Sequence, residues 1–226
     1  EVMRAKLIRR GQIATGTYSA LWQPAEKLNF SAGQYLLCSL VDPAYTDSQG
    51  DSREFSIASS PNTPEIIEIA WRDSPSAFKR SLLAMEPEQE IEIKGPYGHF
   101  TLSANDQPIT LLAGGIGITP LLSIGRYLAE EKDRRSVVLL SANNSLDKVP
   151  FRAELAGLTA KNPNFRGVEH IGMLKSNDLL ALIPDISERV CLIAGPPQLV
   201  FDLRQSLQSA GVPEENIFYE DFIGYE

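Results

Sequence analysis

A chain of 226 residues exceeds one typical domain of roughly 100 to 150 residues, and its 43% hydrophobic and 22% charged residues exclude a disordered or fibrous chain. A formal net charge of -8 repels phosphate backbones and argues against nucleic acid as a partner. Cys38 and Cys191 stand far apart in apolar runs, which excludes a disulfide framework, a zinc cluster or an iron-sulfur cluster and predicts two inert buried thiols.

The first hundred residues read as short β-rich runs at 5–13, 18–22, 35–41, 54–58, 66–71 and 90–94, punctuated by Gly33, Gly50, Pro61-Asn62 and Gly95-Pro96. This spacing predicts an antiparallel β-barrel or sandwich. Between the fifth and sixth runs, Ser74-Pro75 precedes Phe78, Leu82 and Met85 at helical spacing, which predicts one helix over 76–85 crossing the barrel's end. The polar connector around Asn105, Asp106 and Pro108 predicts a boundary near 103, with units of 1–103 and 104–226.

Beyond it, apolar strands alternate with helical patterns. Strands are predicted at 109–113, 137–141, 168–171, 190–194 and 217–219, and helices from Pro120, near Phe151, near Asn177 and from Pro197. The last helix places Val200, Leu203 and Leu207 on one face, as packing on a sheet requires. Five buried strands with intervening helices predict a doubly wound, parallel α/β sheet. No apolar run approaches the roughly 20 residues of a membrane helix, and Glu1-Val2-Met3 lacks a signal-peptide pattern; a cytoplasmic protein without a membrane span is expected.

The strongest local signal is Leu111-Leu112-Ala113-Gly114-Gly115-Ile116-Gly117-Ile118-Thr119-Pro120, an apolar strand entering a glycine loop and then a helix. Glycines allow close backbone approach to a pyrophosphate, Thr119 is placed to cap the helix, and free N–H groups there favour an anion. A second loop, Gly195-Pro196-Pro197, follows the strand at 190–194. Both loops fall on the carboxyl edge of the sheet, where open α/β folds bind ligands.

Six motifs then occur in order: Phe30-Ser31-Ala32-Gly33-Gln34-Tyr35, Arg53-Glu54-Phe55-Ser56-Ile57-Ala58-Ser59, Gly95-Pro96-Tyr97-Gly98-His99-Phe100, the glycine loop 114–120, Ala194-Gly195-Pro196-Pro197 and Tyr219-Glu220-Asp221-Phe222. Together they resemble the ferredoxin-NADP reductase superfamily, a flavin-binding barrel followed by a nicotinamide-dinucleotide domain. The resemblance implies an FAD-dependent NAD(P)H oxidoreductase, a flavoprotein of electron transfer, in which hydride passes from nicotinamide C4 to flavin N5. It implies that Arg53 holds the flavin pyrophosphate, Phe55 lies against the isoalloxazine in place of the usual tyrosine, and Ser56 reaches the edge near N5, with Glu54 in the same motif. It also implies that the amides of Ser76, Ala77 and Phe78 receive the second part of the pyrophosphate, with Lys79 beside it. Gly114, Gly115, Gly117, Thr119, Pro120, Gly195 and Pro196 are implied as nucleotide contacts. Glu220 is implied to position nicotinamide or relay a proton, and Phe222 or Tyr225 to cover the flavin ring. Ala194 departs from the cysteine frequent in that family.

Cofactor choice depends on Ser141-Ala142-Asn143-Asn144-Ser145, where no arginine follows the strand, so NADH is favoured; Lys148 and Arg152 keep NADPH open. FAD is preferred to FMN on the resemblance alone. His99 and His170 carry no partner pattern for a metal or a triad, and no metal site is expected. Two cysteines cannot hold a plant-type cluster, so the electron acceptor is expected to be separate: ferredoxin, flavodoxin, an oxygenase component or a small molecule. Residues 1–30 carry five basic and two acidic side chains, either a charge-steered docking surface or a protected edge strand. Two alternatives stay open: a free-flavin or quinone reductase, and a nucleotide-binding electron-relay or regulatory subunit without its own turnover.

Overall fold

A computed structural model describes residues 2–222. The first six strands are β1 (Val2–Ala14), β2 (Thr17–Pro24), β3 (Tyr35–Leu40), β4 (Ser52–Ser56), β5 (Ile67–Arg72) and β6 (Glu90–Tyr97). They form one antiparallel sheet in the order β4-β3-β6-β1-β2-β5. The sheet curls so that its two ends meet: the Ala58 amide donates to the Glu68 carbonyl at 2.8 Å, and the Glu68 amide donates to Ser59 Oγ at 3.1 Å. Trp22, Leu36, Ile57, Ile69 and Ile91 fill its interior. Helix α1 (Ala77–Ala84) plugs the open end with Phe78 and Leu82, as their spacing predicts.

The second sheet holds β7 (Ile109–Gly114), β8 (Val137–Asn143), β9 (Phe165–Ile171), β10 (Val190–Gly195) and β11 (Ile217–Asp221), all parallel, in the order β11-β10-β7-β8-β9. Helices α2 (Ile118–Glu130), α3 (Arg152–Lys161), α4 (Ser176–Leu182) and α5 (Pro197–Ser209) connect the strands. β7, β8 and β10 are buried along their whole length, which explains why they read as unbroken apolar runs. Val200, Leu203 and Leu207 are the buried face of α5. Strand order reverses between β7 and β10, so the crevice at their carboxyl ends is the topological switch point.

The two sheets are joined by direct polar contacts. Ser123 Oγ on α2 donates to the Ser59 carbonyl at 2.7 Å, and Arg126 Nη1 donates to the Ala58 carbonyl at 2.6 Å. Arg126 also pairs with Glu68 of β5 and Glu154 of α3. No helix among the described residues is long and apolar enough to cross a membrane.

Candidate functional site

The switch point gathers both glycine loops. Residues 115–117 make a single 3₁₀ turn between β7 and α2, with Gly115 at φ 53°, a conformation that disfavours side chains. A Cβ on Gly117 would stand 2.3 Å from the Ala194 carbonyl oxygen, and one on Gly114 2.6 Å from Leu199. Glycine is therefore required here by packing of one loop on the other. The expected role of Thr119 is corrected: the 3₁₀ turn lets the helix start at Ile118, so Thr119 lies inside it, 2% exposed, donating to the Ile116 carbonyl. Pro120, in the first turn as predicted, is also buried. Pro196 is exposed beside buried Gly195.

A cluster of cations adjoins these loops. Lys79 of α1 is buried, and its ammonium is pushed below the ordinary lysine range first by burial and then by Arg53, with Arg72 adding to the shift against Asp73. Arg72 ends β5 and lies on the glycine loop: its guanidinium nitrogen would stand 3.0 Å from a Cβ on Gly115. Burying a lysine beside two arginines is costly, and the charge of Asp73 offsets part of that cost. Sequence reading missed Arg72, because its place is set by the pairing of β5 with β2 and by the docking of the second sheet.

The expected donors of α1 are placed as follows. Ser76 is the N-cap, its hydroxyl accepting from the Lys79 amide at 3.3 Å. The Ala77 amide donates to Asp47 Oδ2 at 2.9 Å. Arg53 turns its guanidinium onto the carbonyls of Gln49, Gly50 and Ser52 and lies 5.3 Å from the Phe78 ring centroid. Phe55 corrects the expectation of a ring open to a flavin. The pleat of β4 points it at the interior opposite Leu36, where it is 3% exposed and stacks on Phe78 at 5.8 Å. Its neighbours Glu54, exposed, and Ser56, half-buried, take the other face.

Tyr35 pairs with Ser56 and with Tyr97 in the sheet register, and the two tyrosine rings lie 5.8 Å apart. Glu220 on β11 comes close to this group. Burial, then the charges of Glu54 and Asp221, push its carboxyl up to about 7, and its Oε2 is buried with no hydrogen-bond partner. Tyr35 is raised by burial and by the same two glutamates. The Phe222 amide donates to the Gly195 carbonyl at 3.0 Å, tying the tail to the second glycine loop. Tyr225 lies outside the described residues.

The residues present fit a dinucleotide and a flavin by two observations. The donor set at α1, Arg53, Lys79 and Arg72, is the chemistry of a diphosphate seat, and the orphaned Glu220 Oε2 is the chemistry of an amide partner. Other features stand apart. His99 is exposed, and His170 Nε2 lies 3.3 Å from the Met173 carbonyl. Both cysteines are buried, and burial pushes each thiol up to about 12, as befits inert side chains. Among the described residues no group of three or more His, Cys, Asp or Glu could hold a metal. A cavity of about 520 Å³ between the β1–β2 hairpin and α2, reaching Arg10, Arg126 and Glu154, shares none of these site residues.

A curled antiparallel sheet plugged by one helix, followed by a five-stranded parallel sheet with its crevice at two glycine turns, defines the two-part ferredoxin-reductase-like architecture. Residues 111–204 match the model of the oxidoreductase NAD-binding domain. The chain is 27% identical over 216 residues to the reductase component of propane 2-monooxygenase from Gordonia sp. (strain TY-5), covering 87% of this chain and 60% of that protein. It is 29% identical over 210 residues to the ferredoxin reductase component of 3-ketosteroid-9-alpha-monooxygenase from Mycolicibacterium smegmatis, covering 89% and 58%. Among solved structures, the FAD/NAD binding domain of nitric oxide dioxygenase from Vibrio cholerae superposes with a TM-score of 0.85 at 21% identity, covering 97% of this chain and 98% of that one. Residues 111–204 thus belong to the oxidoreductase NAD-binding domain family, and the chain as a whole is similar to the reductase components of oxygenases. It spans about 60% of the length of the curated relatives it matches.

Proposed function

We propose that this chain is an FAD-dependent NAD(P)H reductase module, with a flavin unit at 1–103 and a nucleotide unit at 104–226, passing electrons to a separate acceptor such as a ferredoxin, a flavodoxin or an oxygenase component. The observation that carries this reading is a chain of neighbours: Arg53 and Arg72 act on buried Lys79, Arg72 lies on Gly115, Gly117 packs on Ala194, and Ala194 pairs in the sheet with Glu220 and its buried carboxyl. When bound, FAD supplies the hydride-accepting centre at N5 and the electrons that leave afterwards.

The chain's own residues bind and orient. Arg53, Lys79 and the amides at the start of α1 hold the flavin diphosphate, and Ser56 lies on the strand facing the reactive edge. The glycine loops admit the nicotinamide diphosphate, with Arg72 beside them. Glu220, its carboxyl pushed up to about 7 and so holding a proton part of the time at neutral pH, gives the nicotinamide carboxamide a hydrogen-bond partner, and Phe222 excludes water. The reading is supported by relatives that are reductase components of oxygenases.

NADH is the preferred donor on two grounds. Arg152, one of the two cations that follow β8 most closely in sequence, is held by Glu169 of β9 at 2.9 Å through both carboxylate oxygens. Asn143, at that strand's end, keeps a buried Oδ1 acceptor without a partner, which suits a hydroxyl and repels a phosphate.

The test is anaerobic mixing of the purified chain and FAD with NADH or NADPH, following flavin absorbance. Bleaching that is faster with NADH is expected. Absorbance unchanged with both nucleotides would overturn the proposal.

A further inference from the structure

The seat prepared for the flavin diphosphate is filled by the chain itself. Asp47, on the β3–β4 loop, accepts from the Ala77 amide at 2.9 Å through Oδ2 and from the Gln49 amide at 2.9 Å through Oδ1. The same loop supplies the carbonyls of Gln49 and Gly50, which with that of Ser52 on β4 accept from Arg53 Nη1, and Gln49 Oε1 accepts from Arg53 Nη2 at 3.1 Å. Further along, the Tyr45 amide donates to Ser81 Oγ at 2.9 Å, Ser81 Oγ donates back to the Tyr45 carbonyl, and Arg80 lies 3.9 Å over the Tyr45 ring. The loop is thus lashed along α1.

We propose that residues 42–51 form a strap whose Asp47 carboxylate stands in for one phosphate of the flavin, so that Asp47 sets flavin affinity and the discrimination between FAD and FMN. The inference rests on the reading of α1 and Arg53 as the diphosphate seat. An anion bound at the Ala77 amide excludes a second one, because one N–H cannot serve two acceptors in line and like charges repel. The helix start also sits beside Arg53, Lys79 and Arg72, so the ion that binds there meets more positive charge than a helix end alone provides. FAD brings two phosphates and must expel Asp47 to seat the second. FMN brings one, which Arg53 can take without the Ala77 amide. Asp47 is exposed and none of residues 42–51 is buried, so the exchange leaves the fold intact.

Binding of FAD and of FMN, titrated by flavin fluorescence against the whole chain and against Asp47→Ala, tests this. FAD binding is expected to tighten about tenfold, the scale of one charge-assisted hydrogen bond, with FMN binding unchanged. Equal gains for both flavins, no gain, or weaker FAD binding would overturn the proposal. A second measurement needs no variant: on adding FAD, hydrogen exchange at the Gln49 amide should quicken while the Ala77 amide stays protected, whereas protection retained at both would overturn it. If the wild-type chain binds neither flavin, the diphosphate seat itself is misread and the proposed function fails with it.

Discussion

Gly117 and Ala194 meet backbone to backbone: a Cβ on the glycine would stand 2.3 Å from the alanine carbonyl oxygen and 2.6 Å from Gly195 Cα. Because the obstacle is main chain, it cannot rotate away. Gly117→Ala is expected to part the two loops, cost about 1–3 kcal/mol of stability and abolish tight nucleotide binding. Urea unfolding and NADH titration of the variant measure both; unchanged binding would show that the loops do not form the nucleotide crevice.

Arg126 sits between the two sheets, its side chain 14% exposed and bonded to Glu68, itself 10% exposed. Burial opposes its charge, but the bonds from Glu154 and the charge of Glu68 outweigh it and raise the guanidinium above its ordinary value. Arg126→Met removes the cation and leaves Glu68 and the Ala58 carbonyl buried without it. A loss of about 3–5 kcal/mol is expected in chemical denaturation.

Glu220 should write its titration into the stability curve. Its carboxyl rises from 4.5 in the unfolded chain to about 7 in the folded one. The folded state therefore binds the extra proton between those values, and stability falls as pH rises through that window, then levels off. Glu220→Gln is expected to flatten melting temperature against pH between about 4.5 and 7, and to remove a transition near 7 from the pH profile of kcat/KM. A wild-type curve that rises with pH over this window in proportion to no other change in the variant would refute the assignment.

Arg152 is expected to govern the choice of nucleotide only when released. Glu169→Gln loosens its two bonds and frees a guanidinium near the end of β8. Catalytic efficiency with NADPH should rise several-fold while that with NADH holds. Equal efficiencies in the wild type would already contradict the preference for NADH.

Arg72→Gln is expected to raise KM for NADH about tenfold with kcat little altered, because the lost cation contributes to uniform binding of the diphosphate. A fall in kcat alone would place Arg72 in another role.

The order of elements was legible because both periodicities were strong: the unbroken apolar runs of β7, β8 and β10 and the helical spacing of Phe78 and Leu82 need only local pattern. Boundaries failed where distant partners decide them. β4 runs over 52–56 and not 54–58, because the Ala58 amide turns to Glu68 and the Ser59 carbonyl is claimed by Ser123. β6 passes through Gly95-Pro96 to Tyr97, held by the pairing with Tyr35. At the site, Arg53, Lys79, Glu220 and the glycine loops were visible as motif residues. Asp47 and Arg72 carried no local signal, since their roles come from a loop folding over α1 and from one sheet docking on the other. Phe55 was misjudged because sequence does not say which face of a short strand is covered.

The Ser59 and Ala58 carbonyls find their donors, Ser123 and Arg126, more than sixty residues further along the chain. The curled sheet thus reaches a fully satisfied closing seam only after α2 has been synthesised and docked. A ribosome-released fragment ending before α2 would carry an open seam with a buried glutamate, and the intact chain should melt in one calorimetric peak, the two sheets losing order together.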